Sequence, residues 1–483
     1  MSARTFGRRT SAATIAAFVT LLTAGCASTG GLAPAATLHD ADAAGLRRSV
    51  GDIVLADAGF PDLAWWRGFA DPQLDALVDE ALRGSPSLAA ADARLRRARA
   101  QAGLADAARR PAASASGQYA LAQLPGSLAG DGPMHNAVLM VNFAWPLDLW
   151  GGHRADYAAA LGEARAVEVE AQAARLELAA AVVRAYVGFA QACAAEDIAG
   201  RELARAGEVR RLVQQRVDAG IDGSRGLRDA EATVAAVQAR HHATQQRIES
   251  ARNAIAALLG AGPDRGLALE RPRLLAAAPP ALPASLPSDL LGRRPDVVAA
   301  RWRAEAAAQR IHAAEAKFRP NVDFSGLIGL VGGDPAALFA SDALLGFGGP
   351  AVTLPVFEGR RLRGELDGRD ADYDLAVATY DGRVATALQQ VADAVQAVAA
   401  LQAQDEALRR ARDAASEALA LAEARQRSGV GSRLDVLAAH RPLLDLEQQL
   451  ATLQAQRYLA AVDLDQALGG GLRFATPPAT NSP

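Results

Sequence analysis

The sequence predicts a mostly α-helical fold with a smaller β component at a membrane, built twice over from one unit. Three observations predict it: the chain opens on a bacterial export signal, it matches itself at one large offset, and it has two very long stretches without proline. Composition sets the frame. The 483 residues are 50% hydrophobic but only 5% aromatic, and alanine dominates, which favours helix over strand. Lysine plus arginine (51) nearly balances aspartate plus glutamate (54), so the chain lacks the basic face that nucleic acid demands. Nearly all of that positive charge is arginine, Lys317 being the one lysine. A mean hydropathy of +0.03 is too low for a bundle of transmembrane helices. Two cysteines cannot make a disulfide framework.

The signal comes first. Arg4, Arg8 and Arg9 precede an apolar stretch from about Ser11 to Leu22, followed by Thr23-Ala24-Gly25-Cys26. That run is too short to span a bilayer as a permanent helix. Cleavage near Ala24 would leave Cys26 incidental. Ala-Gly-Cys, however, resembles the lipobox of bacterial lipoproteins, in which the cysteine becomes the acylated first residue, although Thr23 stands where leucine is usual. Ala27 resembles the sorting residue of lipoproteins sent to the outer membrane. The expectation is a lipoprotein-type signal over 1–25, lipidation at Cys26, and a lipid-anchored segment over 26–59.

The self-match organises the rest. A shift of 209 residues (295 − 86) lays Pro86 on Pro295, Pro111 on Pro320, Gly117 on Gly326, Pro146 on Pro355, Gly220 on Gly429 and Gly260 on Gly469. Proline and glycine mark fixed backbone events, so six coincidences at one offset define a repeat. The units are 60–262 and 286–471, joined by a Pro/Ala-rich linker over 263–285. A polar tail, 472–483, reads as disordered.

Each unit reads helix, two strands, long helix, turn, helix. In 135–147, Ala137, Leu139, Val141, Phe143, Trp145 and Leu147 share one face, opposite Asn136 and Asn142. Val352, Leu354 and Val356 repeat that pattern. Val322, Phe324, Ile328 and Leu330 oppose Asp323 and Ser325, and a weaker counterpart surrounds Tyr119 and Leu121. Such strands fit a half-buried soluble sheet or a lipid-facing barrel, and the outer-membrane address favours the barrel. From Gly151 to Ala219 no proline intervenes, which allows a helix of about 100 Å at ~1.5 Å per residue. Val182, Tyr186, Phe189 and Cys193 form a coiled-coil-like stripe, matched by Leu388, Val391, Val395 and Val398. Two shorter helices end to end, 86–110 and 224–260, would cover one long helix.

These residues resemble the TolC-type outer-membrane efflux family, and within it the lipoprotein branch serving resistance–nodulation–division pumps. The carrying strings are Trp65-Trp66 with Phe69-Ala-Asp-Pro-Gln-Leu74, Phe143-Ala-Trp-Pro-Leu-Asp-Leu149-Trp-Gly, Leu286-Pro-Ser-Asp-Leu-Leu-Gly-Arg-Arg-Pro-Asp-Val297, Ala314-Glu-Ala-Lys-Phe-Arg-Pro320 and Gly429-Val-Gly-Ser-Arg-Leu-Asp-Val-Leu437. The resemblance implies a homotrimer in which each chain gives four strands to one shared 12-stranded β-barrel above a long α-helical periplasmic barrel. Four strands alone cannot close a membrane barrel, whose minimum is about eight. The resemblance further implies a passive exit duct for drugs or other small compounds, working with a periplasmic adaptor and an inner-membrane pump. Outside loops would span Leu124–Met134 and about Gly332–Gly346. A type I protein-secretion duct and a lipid-tethered coiled-coil scaffold with a soluble sheet are the rival readings.

The family carries an acidic residue at the position of Asp435, where three copies ring the periplasmic mouth. Such a ring would favour cations. Its ordinary alternative is a charge suited to the first turn of the returning helix. Gly226 holds the equivalent place in the first unit. Gly220, Gly429 and Arg433 mark the tips and are candidate adaptor contacts, while Arg433 and Arg225 could pair with carboxylates there. Pro442, opposite Thr233, should kink its helix. Cys193 reads as a small core residue. The seven histidines are scattered, His241 and His242 lie on different helix faces, and no Walker loop or nucleophile elbow is present, so neither enzyme, cofactor nor metal is expected.

Overall fold

The computed structural model describes residues 28–37, 56–57, 60–122, 134–273, 281–282 and 292–474. In chain order its elements are β1 (Ala56–Asp57), a 3₁₀ turn (Trp65–Phe69), α1 (Pro72–Gly84), α2 (Pro86–Ala108), β2 (Ala112–Ala122), β3 (Met134–Pro146), α3 (Gly152–Asp218), α4 (Ser224–Leu258), α5 (Asp264–Leu267), β4 (Ala281–Leu282), α6 (Pro295–Ala316), β5 (Asn321–Gly332), β6 (Leu344–Thr353), α7 (Gly359–Arg427) and α8 (Arg433–Ala467). The repeated prolines sit at repeated junctions. Pro86 and Pro295 each open a helix, where a missing N–H costs nothing. Pro111 and Pro320 directly precede β2 and β5. The 3₁₀ turn and α1 belong to the first unit alone among the described residues.

Both long helices exist, α3 with 67 residues and α7 with 69, each about 100 Å long. The helices pack as columns in the order α2/α4, α3, α6/α8, α7. Two end-to-end helices therefore cover one long one, as expected, but the pair between the long helices comes from the second unit. The strands follow the same order, β2–β3–β5–β6, all antiparallel. Each strand thus continues the column with which it shares a junction. Layer and sheet have the same two free edges: β2 above α2/α4, and β6 above α7.

The sheet's register sorts its faces. Leu139 pairs with Leu330, Val141 with Ile328 and Trp145 with Phe324, while Val322 pairs with Val352. Phe143 and Phe324 meet edge to face at 6.0 Å between centroids. Leu139, Val141, Trp145, Phe324, Ile328 and Val352 are all exposed. The opposite face carries Ser114, Ser116, Asn136, Asn142, Asp323 and Ser325. One mostly apolar, largely exposed face against one mixed face is the pattern of a lipid-facing barrel wall, and the soluble-sheet reading gives way to it.

The fourth strand starts earlier than the alternation suggested. Only Val352 of the predicted trio lies in β6, since Leu354 and Val356 follow its end at Thr353. Pro355 cannot donate to a ladder, and the glycines at 346, 348 and 349 suppressed the alternation signal upstream. The loop is correspondingly shorter, with Leu344 and Leu345 inside the strand and a 3₁₀ turn at Ala337–Phe339. Of the other expected loop only Met134 is described, as the start of β3.

Midway along the columns lies the principal core. Trp65, Trp66 and Phe69 pack with Leu74, Leu77, Val182, Val183, Tyr186, Phe189, Cys193, Ile255, Tyr458 and Val462. The predicted stripe is buried here, and Val391 and Val395 are likewise fully buried in the second unit. The Asp-Pro-Gln string has a physical role: Asp71 accepts from the Tyr186 hydroxyl at 2.7 Å and from Arg273 N–H at 2.8 Å. Gln73 exchanges hydrogen bonds with the Glu270 backbone (3.0 and 2.9 Å), tying the linker to mid-α3. Farther on, Phe474 N–H donates to the Gly292 carbonyl at 3.0 Å, and its side chain packs beside Trp302.

Candidate functional site at the helical tips

Each long helix ends in the same motif. Gly220 and Gly429 take left-handed backbone (φ 74° and 75°), which residues with a Cβ rarely adopt. The next N–H reaches five residues back, Ile221 to the Arg216 carbonyl at 2.8 Å and Val430 to the Arg425 carbonyl at 3.0 Å, closing a Schellman cap. Ile221 and Val430 occupy equivalent places and are 64% and 69% exposed, so each tip presents an apolar residue to solvent.

Beyond this shared turn the tips differ. In the first, the Arg216 guanidinium clasps Asp222 at 2.7 and 3.0 Å and holds its carboxyl below the usual range. Gly223 then begins α4 without a side-chain cap. In the second, Ser432 and Asp435 form a capping box. Ser432 N–H donates to the Asp435 carboxylate at 2.7 Å, and Asp435 N–H donates to Ser432 Oγ at 3.2 Å. The Ser432 N–H, and after it the Ser432 hydroxyl donating at 2.8 Å, pull the Asp435 carboxyl below its ordinary value. The charge-suited-to-first-turn reading is therefore realised in the fold. Asp435 is exposed as well, so its carboxylate still faces solvent at the tip. Gly226 places no charge there.

Arg433 grips Glu208 of α3 through two bonds of 3.0 and 3.2 Å, joining the tips of the two units. Arg225 is exposed and makes no such pair among the described residues. Deeper in, the buried Arg205 donates to the Leu437 carbonyl of α8 at 3.2 Å and is held by Glu202. Sequence reading missed Glu208 and Arg205, because their partners lie more than 200 residues away. The one usable signal was the repeat itself, which has Ala414 where Arg205 stands (205 + 209). Pro442 lies inside an otherwise continuous α8. Cys193 is buried and free, and burial pushes its thiol up. Cys26 lies outside the described residues.

A concave cavity of about 1660 Å³ runs between the columns, lined at seven-residue spacing by Glu163, Glu170 and Glu177 of α3 and by Asp296, Arg303 and Arg310 of α6. Arg303 bridges Glu163 and Glu170 at 3.3 and 2.7 Å. The cavity is touched by α2, α3, α6, α7 and α8 together, and its charged residues of both signs stand among alanines and leucines.

A sheet with one apolar exposed face and long helical columns that continue its strands fit one segment of a membrane-crossing duct. The family model described as outer membrane efflux protein matches the chain twice, over 77–261 and 286–470, again displaced by 209 residues (286 − 77). The fusaric acid resistance protein FusA of Burkholderia cepacia is 38% identical over 366 residues, covering 73% of this chain and 68% of that one. The multidrug resistance outer membrane protein MdtP of Escherichia coli K12 is 31% identical, covering 87% and 88%. Among solved structures, the outer membrane protein VceC of Vibrio cholerae superposes with a TM-score of 0.77 at 36% identity, over 85% of this chain and all of that one. The chain belongs to the outer membrane efflux protein family. It is an outer-membrane channel component of an efflux system, to which this chain brings a sheet of four antiparallel strands.

Proposed function

We propose that three copies of this chain form a passive duct that an acidic ring of Asp435 guards at the periplasmic mouth. The carrying observation is the coincidence of free edges: β2 and α2/α4 on one side, β6 and α7 on the other. Edges that differ from each other make head-to-tail contacts, which close into a ring when the rotation permits. The tips, with Gly220, Gly429, Arg433 and the exposed Ile221 and Val430, form the docking end for a periplasmic adaptor, and an inner-membrane pump supplies the energy. No catalytic step is required of the chain itself. The cargo is drugs or other small compounds, a reading supported by the resistance that names FusA and MdtP.

Lipid anchoring at Cys26 completes the proposal. Ala35 and Ala36 N–H donate to the Asp374 carboxylate at 3.3 and 2.8 Å, fifteen residues (374 − 359) below the start of α7. That is about 22 Å down the helix, whereas the ten residues from Cys26 to Ala36 can span about 33 Å. Cys26 can therefore reach the base of the barrel, and the mass of the mature N-terminus reads whether it is acylated. The remaining boundaries of the proposed chain plan are a signal over 1–25 and a linker over 263–285.

The deciding experiment is single-channel conductance in planar bilayers, comparing the wild type with Asp435→Ala. Larger or less cation-selective currents in the variant support the gate. Identical currents keep the duct and discard Asp435, and folded trimers without any conductance sink the duct.

A further inference from the structure

Two departures from the internal repeat meet in space. Pro442 stands in α8 where the first unit has Thr233, and Arg205 stands in α3 where the second has Ala414. Arg205 is only 9% exposed, and its Nη1 donates to the Leu437 carbonyl, one turn before Pro442. Glu202 holds the same guanidinium through two bonds of 2.7 Å, so the charge is paired where it is buried. Pro442 has no N–H to offer the Ala438 carbonyl, and its ring crowds the preceding turn. Ala438 is exposed, so water can serve its carbonyl, whereas Leu437 is buried and turns its carbonyl to Arg205. Thr233, by contrast, sends its hydroxyl to the Asp229 carbonyl of its own helix at 2.8 Å. One unit thus has both a proline break and a guanidinium from the neighbouring helix.

We propose that Pro442 and Arg205 form a clasped hinge, with α8 pivoting at the proline while Arg205 holds its tip segment, Arg433–Arg441, against α3. The segment is about 14 Å long and carries Asp435 near its end. On the far side of the proline, Arg201 pairs with Glu447 at 2.7 Å and keeps the body of α8 on α3. Arg433 also ties this segment to Glu208 nearer the turn, so releasing Arg205 loosens the segment beside the proline without detaching the helix. Arg205 is a positioning residue, acting on the gate through the backbone of α8. This inference rests on the duct reading above.

The test is a double-mutant cycle on full-length trimers in planar bilayers, reading the ratio of open to closed time. Arg205→Met, which keeps length and removes the donors, should raise that ratio about tenfold, the equivalent of one charge-assisted hydrogen bond. Pro442→Thr restores the residue of the other unit, and in that background Arg205→Met should change the ratio by less than about twofold. Should the single variant fail to assemble, Glu202→Gln with Arg205→Met avoids an unpaired buried carboxylate and carries the same expectation. Equal effects in both backgrounds, or none in either, overturn the clasp while leaving the duct intact. A wild type that forms no channels overturns both.

Discussion

At the scale of single residues, the repeat makes departures informative. Asp465 lies near the end of α8, where the first unit has Ala256 (465 − 209), a fully buried position. Burial pushes the Asp465 carboxyl up from its ordinary value to about 7. A carboxyl that the fold prefers protonated adds nothing to stability once it ionises. The fold is therefore favoured at low pH and loses that advantage as pH rises from the ordinary carboxylate range through about 7. Thermal midpoints should fall between about pH 5 and about pH 8, and Asp465→Asn should flatten that slope. An unchanged slope in the variant would assign the effect elsewhere. Asp435 behaves oppositely. Its carboxyl is pulled down by Ser432, so its charge persists through neutral and mildly acidic conditions, and its box weakens only as pH falls below the ordinary carboxylate range.

At the scale of elements, the tips depend on backbone chirality more than on side-chain chemistry. Gly429→Val would force a β-branched residue into left-handed backbone, at a cost of about 1–2 kcal/mol. Gly429→Asn should cost less, because asparagine tolerates that region. Limited proteolysis at the tip orders the three forms, and equal cleavage of valine and wild type would contradict the cap. Farther up, α3 and α6 approach closely because small residues face each other: a Cβ on Gly162 would lie 3.2 Å from that of Ala306. Alanine dominance, visible from composition, is the packing device that lets helices of about 100 Å run side by side. Pairs such as Arg303 with Glu163 and Glu170 then set which faces meet, adding little energy where they are exposed.

At the scale of the whole molecule, the sheet tests the membrane reading. Ile328 is exposed on the apolar face near the middle of β5, and Ser325 points to the other side. Arginine at a lipid-facing midplane position costs about 2–4 kcal/mol, whereas a lumen-facing one is tolerated. Ile328→Arg should therefore reduce folding into vesicles, and Ser325→Arg should not. Equal loss in both would mean that the faces are assigned wrongly. The sheet has two unpaired edges, β2 and β6, and Pro350, which has no N–H to donate, suits the edge strand β6.

Much of this was legible in the chain. Residues at an offset of 209 marked the two units, the stretch Gly151–Ala219 placed the first long helix to within a residue at each end, and the alternation in 135–147 identified the apolar face of β3. These signals are local, arising from φ restrictions at proline and glycine and from side-chain periodicity along one element. Glycine-rich β6 was misplaced because glycine erases that periodicity. Tertiary structure alone decided which column stands between the long helices, that Arg433 meets Glu208, and that Arg205 reaches the turn before Pro442. Those contacts join helices whose facing surfaces repeat alanine and aliphatic residues at similar spacing, so nothing local distinguishes one partner from another. The choice is made only when the whole layer closes and buried charges such as Arg205 meet groups from distant parts of the chain.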